Sequence, residues 1–370
     1  MVLIYREGKN KTEMTKKTIT VLLTDVSHPV TPRAVEILKG NLDYSVTVIG
    51  VDSMGSNIGS LWVDKFFSLP KPESSNYIKK LLEICLAQKV DVVVPWTNLE
   101  ALVISKNTRK FQSKNIKIVC NDFEITKTLV DKGLFYKSLE GSNILVPRYQ
   151  LVSNIDELEK AIGQLGYPKN KIVVKPRGLS GGRDLFVLSA KSNIDLRDTN
   201  HNLPKNALLE MVRSSGRKND LNYMVMEYLG GDDYSVDTLC SKGNPIFIVQ
   251  RKRLADLGGV SSVGETVYDQ KVYDTVKSII DFFKIDFNCN IQLKYKTGQV
   301  GSPYVYDINP RISGTIVANA HAGIDMLTLG IYQALNIPFP KDQRKEYQHL
   351  KMVRYWSEKY RIMSGEWYSA

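Results

Sequence analysis

From Thr18 onward the chain alternates short apolar runs with amphipathic stretches. The run Thr18-Ile19-Thr20-Val21-Leu22-Leu23-Thr24 is β-branched and apolar throughout, the pattern of a strand buried on both faces. Pro32 opens and Gly40 closes a stretch carrying Ala34, Val35, Ile37 and Leu38, which predicts a helix with proper ends. Tyr44 to Val51 reads as a second strand. Tyr77 to Gln88 reads as an amphipathic helix with Ile78, Leu81, Leu82, Ile84 and Cys85 on or near one face. Strands over Val90–Pro95 and Ile116–Cys120, with a helix over Leu99–Ser105 between them, complete the series. Such alternation predicts a doubly wound parallel sheet over residues 18–122, behind a leader of residues 1–17. The turn after the first strand, TDVSHPVTPRA, has no GxGxxG, so the glycines that admit a pyrophosphate are missing. Ligand contacts at the carboxyl ends of its strands, for example from Trp96 to Glu100, stay open.

Beyond Asp122 the pattern changes. A helix carrying Thr126 to Lys132 leads into Pro147, and Ile155 to Gly163 forms another. Lys171–Lys175 and Asp184–Leu188 read as strands around a glycine-rich turn. Tyr223–Leu229, Tyr234–Cys240 and Pro245–Gln250 read as a strand meander, followed by a helix over Val272–Phe283. Cys289–Tyr295 and Tyr304–Asn309 predict a hairpin, and His349–Tyr355 alternates like a last strand. The expected division is a linking helix and small lid over 123–222, an antiparallel main sheet over 223–340 and a C-terminal extension over 341–370. The fold class is therefore α/β followed by α+β.

Two of these stretches carry candidate chemistry. In KIVVKPRGLSGGRDLFVL, Lys175 ends a strand and Gly178, Gly181 and Gly182 follow it. Glycines let successive backbone N–H groups point at phosphate oxygens, and a lysine on the adjoining strand adds a compact cation. Read alone, the segment is equally a surface hairpin with ordinary turn glycines. In YVYDINPR, Asp307 and Asn309 stand two apart and share a strand face, while Pro310 ends the strand. With Gln292 on the partner strand they form the all-oxygen donor set that Mg²⁺ prefers, with Mn²⁺ as a substitute.

The remaining bulk properties narrow the choice. A chain of 370 residues calls for more than one core. No apolar run approaches a membrane span, and the four cysteines show no CxxC pair, so a disulfide framework or zinc site is not indicated and a cytoplasmic location fits. The net charge of +11 is spread along the chain, which suits anionic small substrates and argues against a nucleic-acid partner.

In this order, the motifs resemble the ATP-grasp superfamily, and within it the carbamoyl-phosphate-synthetase-like branch, through IQLKY and YDINPRIS. The resemblance covers residues 18–340 as a Rossmann-like pre-ATP-grasp domain followed by a two-part ATP-grasp fold of lid and antiparallel sheet. It implies a carboxylate–amine ligase that uses ATP and Mg²⁺, acting on a small-molecule carboxylate and an amine or other nucleophile. A nucleotide-binding module without catalysis is the alternative, and a homodimer is left open. By position, the resemblance implies that Lys132, with Lys137 as competitor, is the first phosphate lysine. Lys175 is the lid lysine, and Gly178, Ser180, Gly181 and Gly182 close over the γ-phosphate. Glu227 with the backbone of Tyr228 and Leu229 meets adenine, and Asp233 holds the ribose. Gln292, Asp307 and Asn309 are the metal set, and Arg311 stabilises the transferring phosphoryl group. Two departures stand out. Gly314 replaces a further arginine after NPRIS, and the stretch from Gln250 to Ser262 is unusually basic. Arg251, Arg253 and Ser262 are accordingly expected to form the pocket for a carboxylate substrate.

Overall fold

A computed structural model describes residues 16–55, 57–178, 185–190, 202–215, 221–257, 260–298, 301–355, 357–361 and 367–369. The leader up to residue 15, and with it Ser180, Gly181 and Gly182 of the glycine-rich turn, lies outside the described residues.

The first sheet is parallel, with β1 (Thr18–Leu23), β2 (Ser45–Asp52), β3 (Lys65–Ser68), β4 (Val92–Val94) and β5 (Lys117–Ile118) in the order β3-β2-β1-β4-β5. The order reverses beside β1, which marks a topological switch point at its carboxyl end. The short strand β3 was not foreseen, because KFFS offers only four residues of pattern. Helices α1 (Thr31–Lys39), α2 (Tyr77–Ala87), α3 (Asn98–Lys106) and α4 (Thr108–Gln112) cross over between strands. Helix α3 opens on a capping box between Thr97 and Glu100.

The expected single helix over Thr126–Lys132 is two helices, α5 (Phe123–Val130) and α6 (Lys132–Ser138). Asp131 between them adopts an extended ψ of 107° and caps α6 by accepting from the Gly133 and Leu134 N–H groups. Lys132 is thereby the first residue of α6.

The second sheet joins β6 (Tyr149–Val152), β7 (Ile172–Pro176), β8 (Phe186–Leu188), β9 (Asn202–Leu203) and β10 (Tyr223–Glu227) in the order β6-β10-β7-β8-β9, covered by α7 (Ile155–Gln164) and α8 (Lys205–Ser214). Strand β10, read from sequence as the start of the meander, pairs instead with β6 and β7. The third sheet is antiparallel: β11 (Asp233–Ser241), β12 (Asn244–Leu257), β13 (Val260–Thr266), β14 (Phe287–Lys294), β15 (Tyr304–Asn309) and β16 (Lys351–Val353), ordered β15-β14-β11-β12-β13-β16. The tail thus supplies an edge strand, β16 on β13. A small hairpin of β17 (Lys359–Arg361) and β18 (Trp367–Ser369) follows.

Helix α9 (Gln270–Phe283) packs with α5 and α6 around one face of the third sheet. Helices α10 (Ile316–His321) and α11 (Met326–Ala334) share a core with α1 and the first sheet, where Ile316, Ile324 and Met326 meet Val21, Leu23 and Val94. Cys85, Cys120, Cys240 and Cys289 are all buried and unpaired with one another. No helix among the described residues is long and apolar enough to cross a membrane.

Candidate functional site

A cleft of about 490 Å³ collects side chains from the second and third sheets, with Lys132 from α6 and His28 from the loop after β1. Lys132 enters from the first turn of α6 and Lys175 from β7, Glu227 closes β10, and Asp307 and Asn309 project from β15. The two lysines are held together by backbone: the Lys132 N–H donates to the Arg177 carbonyl at 3.3 Å, just beyond β7. Arg177 Nη2 in turn donates to Asp131 Oδ1 at 2.9 Å, which locks the start of α6 to the end of that strand.

A bulge in β15 builds the phosphate-facing end. The ladder between β14 and β15 pairs Gln292 with Asp307 and then Leu293 with Val305, leaving Tyr306 as the extra residue. The Tyr306 carbonyl, out of the ladder, accepts from Lys175 Nζ at 2.8 Å and from the Tyr136 hydroxyl at 3.0 Å. The rings of Tyr136 and Tyr306 flank the ammonium at 5.9 and 5.8 Å. Burial therefore pushes the Lys175 pKa down to about 8, although Asp307 nearby opposes the shift. The hydroxyl end of Tyr306 donates to Asp233 Oδ1 at 2.9 Å. One bulged tyrosine thus ties the lysine to the carboxylate that opens β11.

Asp307 is the only carboxylate of the expected metal set. Burial works against its charge, yet the Lys132 and Lys175 ammoniums hold it below the usual carboxylate range. Lys132 Nζ lies 3.5 Å from Asp307 Oδ1, an oxygen that is buried without a hydrogen-bond donor. Gln292 stands directly across the ladder, and Asn309 Nδ2 donates to Asp307 Oδ2 at 3.1 Å. Asn98, at the start of α3, donates to Asn309 Oδ1 at 2.8 Å and leaves that oxygen a second lone pair. Among the described residues no group of three or more histidine, cysteine or carboxylate side chains could hold a metal. This carboxylate oxygen, ion-paired but accepting no hydrogen bond, and two amides nonetheless fit a hard cation that takes its other ligands from phosphate and water.

Arg311 follows the strand, and burial lowers its pKa against the pull of Asp307 and Asp237. Glu227 accepts from the Arg148 N–H at 2.9 Å and pairs with Lys296 at 2.9 Å, which outweighs its burial and holds its pKa down. Asp233 is buried enough for its pKa to rise despite Arg253 and Lys294 beside it.

The cleft brings together Lys132, Lys175, Glu227, Tyr228, Leu229, Asp233, Gln292, Asp307, Asn309, Arg311 and Arg253. Lys137, the competitor of Lys132, is exposed and does not line the cleft. Gly178 is described but does not line the cleft. Arg251, expected in the substrate pocket, lies beneath it at 0% exposure, bound to Asp237 at 3.2 Å and to Asn319, Ser235 and Thr315. Its strand position points inward, under the loop of residues 313–315. Ser262 does not line the cleft, whereas its neighbour Ser261 does, beside register shifts in the β12–β13 ladder. His28, Lys294 and Tyr306 were missed. Lys294 shares the alternation of Gln292, which was a usable signal; a bulge and a cross-domain histidine left none.

Residues 219–358 match the family model described as ATP-grasp in the biosynthetic pathway with Ter operon, and residues 15–119 match that of the PylC-like N-terminal domain. The carbamoyl phosphate synthase large chain of Clostridium acetobutylicum is 23% identical over 268 residues, covering 70% of this chain and 23% of that one. The chain thus spans about a quarter of the length of that curated relative. Among solved structures, a biotin carboxylase–β,γ-ATP complex from Campylobacter jejuni superposes with a TM-score of 0.64 at 14% identity, covering 87% of this chain and 72% of its own. The L-amino acid ligase from Bacillus licheniformis gives 0.62 at 16% identity, covering 90% and 77%. By sequence, residues 219–358 match an ATP-grasp model and the chain is similar to carbamoyl phosphate synthase large chains; by fold, it is similar to a biotin carboxylase and an L-amino acid ligase.

Proposed function

We propose that this protein is a Mg·ATP-dependent ligase that phosphorylates a carboxylate and joins the product to an amine or other nucleophile. The observation that carries the reading is the convergence of Lys132, Lys175, Arg311 and Asp307 on one cleft. Adenine binding alone requires no such cluster. The likeness to carbamoyl phosphate synthase large chains and to an L-amino acid ligase supports it.

In the first step a carboxylate oxygen attacks the γ-phosphorus, the bond from phosphorus to the bridging oxygen breaks, and ADP leaves. In the second an amine attacks the acyl carbon, phosphate departs and the nitrogen gives up a proton. Lys132 and Lys175 orient the phosphate tail and neutralise its charge, and Arg311 stabilises the charge on the group in transfer. Glu227 and the backbone of Tyr228 and Leu229 would receive adenine, and Asp233 the ribose hydroxyls. Asp307, Gln292 and Asn309 would hold a divalent cation, whose chemistry is to spread and neutralise phosphate charge. Arg253, which lines the same cleft and pairs with Asp256 at 3.4 Å, would help to receive the carboxylate substrate.

Incubation with Mg·ATP and a panel of amino acids and simple carboxylic acids tests the reading, with ADP release and product mass as readouts. ADP release that depends on one acid, reduced about 10²- to 10³-fold in Lys175→Met, is the expected result. No acid-dependent ADP from the wild-type chain, despite Mg·ATP binding, would leave only a nucleotide-binding module.

A further inference from the structure

Residues 311–315 turn out of β15 and line the cleft with Arg311, Ser313, Gly314 and Thr315. Two side chains from distant parts of the sequence meet this turn. His28, from the connection between β1 and α1, sets its ring against Gly314. A Cβ added there would lie 2.8 Å from His28 Cε1 and 3.0 Å from Nε2. Arg354, directly after β16, donates from Nη2 to the Gly314 carbonyl. Its own N–H donates to the Ser262 carbonyl at 2.8 Å, so the pairing of β16 with β13 is what delivers it.

The tautomer of His28 follows from its other edge. Nδ1 accepts from the Val30 N–H at 3.2 Å, and the ring stacks on Trp96 at 6.1 Å between centroids. A neutral ring so held carries its proton on Nε2, the edge turned to Gly314. Burial first, then Arg311 and Arg354, push its pKa down to about 4, so the neutral form prevails near pH 7. The carboxylates beside Arg311 are engaged elsewhere: Asp237 by Arg251, Asn290 and Asn319, and Asp307 by Lys132. Arg311 and the His28 ring thus line one end of the cleft, and the Arg354 guanidinium stands close behind on the Gly314 carbonyl, adding positive charge, an arrangement matched to an anion.

We propose that His28 and Arg354, with Arg311, form the subsite that receives a carboxylate of the substrate, His28 donating from Nε2 and Arg354 supplying charge. What arrives there rests on the ligase reading; the carboxylate affinity of the subsite does not. His28 and Arg354 are positioning and specificity residues, one from each end of the chain, and the C-terminal extension gains a role in substrate choice.

The full chain titrated with acetate, followed through the His28 ring resonance by NMR, tests this. With four histidines, the signal is assigned by its loss in His28→Phe, which keeps the stack on Trp96 and removes the N–H. The expected result is a saturable shift with acetate and none with acetamide. Acetate affinity should fall about 10- to 100-fold in Arg354→Gln and recover in part in Arg354→Lys. In turnover, both Arg354→Gln and His28→Phe should raise KM for the acid by a similar factor and leave the Kd of Mg·ATP unchanged. A His28 signal indifferent to acetate, or one that responds equally in Arg354→Gln, overturns the subsite. An acetate response without any acid-dependent ADP release sinks the ligase reading and leaves the subsite standing.

Discussion

Glu100 accepts from the Thr24 and Thr97 hydroxyls and from the Tyr77 hydroxyl while fully enclosed, and burial still raises its pKa from 4.5 to about 7. A carboxyl whose folded pKa is raised contributes stability that is present in full below about pH 4.5 and lost as the pH rises through about 7. The shift corresponds to a loss on the order of 3 kcal/mol. His28 runs the other way, since its lowered pKa makes stability fall as the pH drops below 6.5 toward 4. The readout is therefore a difference: urea unfolding of the wild type and Glu100→Gln at pH 5 and pH 8. The wild type should lose stability relative to the variant over that window, and parallel curves would contradict the assignment. At this scale the sequence is legible where a motif defines a face. Asp307, Asn309 and Gln292 could be placed from two-residue spacing because a strand turns that spacing into a shared side. Tyr306 could not, since a bulge changes facing without changing composition, and His28 reaches the cleft through tertiary packing alone.

Among elements, β12 shows why a basic run is ambiguous on paper. Arg251 and Arg253 stand two apart, as pocket residues would, but only Arg253 reaches the cleft. Arg251 cross-links β12 to β11 through Asp237 and to α10 through Asn319. Removing one member of a buried ion pair leaves the other charge uncompensated and costs about 3–5 kcal/mol. Arg251→Ala should therefore show that loss in chemical denaturation, with turnover falling only as folded protein is lost. A normal midpoint with selectively reduced turnover would restore Arg251 to the pocket. The break between α5 and α6 makes a second case. Asp131 caps α6 and binds Arg177, so Asp131→Ala should cost about 1 kcal/mol and loosen Lys132 at the helix start. A several-fold weaker Kd for Mg·ATP, with an intact far-UV spectrum, would show the two effects together. The cap was hidden in the sequence because Thr126 to Lys132 keeps an unbroken helical pattern of side chains.

For the whole molecule, alternation alone was enough to place four of the five strands of the first sheet, since a parallel sheet buried on both faces leaves a strong periodic trace; the four-residue β3 was too short to leave one. The membership of β10 was not visible, because a strand's partner is chosen by surfaces far away in sequence. The same distance shapes stability. The first sheet and α11 share one core, so residues 16–122 do not form a detachable unit. A fragment beginning at residue 123 would expose Ile316, Ile324 and Met326 and should give no cooperative thermal transition, whereas a sharp melt would show an independent core. The enclosed cysteines have a practical corollary. Burial lifts the thiols of Cys85, Cys120 and Cys240 to about 12 and pushes that of Cys289 well up from its ordinary value, so the native fold hides every nucleophilic sulfur from aqueous reagents. A maleimide dye would then mark a single engineered surface cysteine, and the slow appearance of native thiols to a chromogenic disulfide would time the opening of the molecule itself.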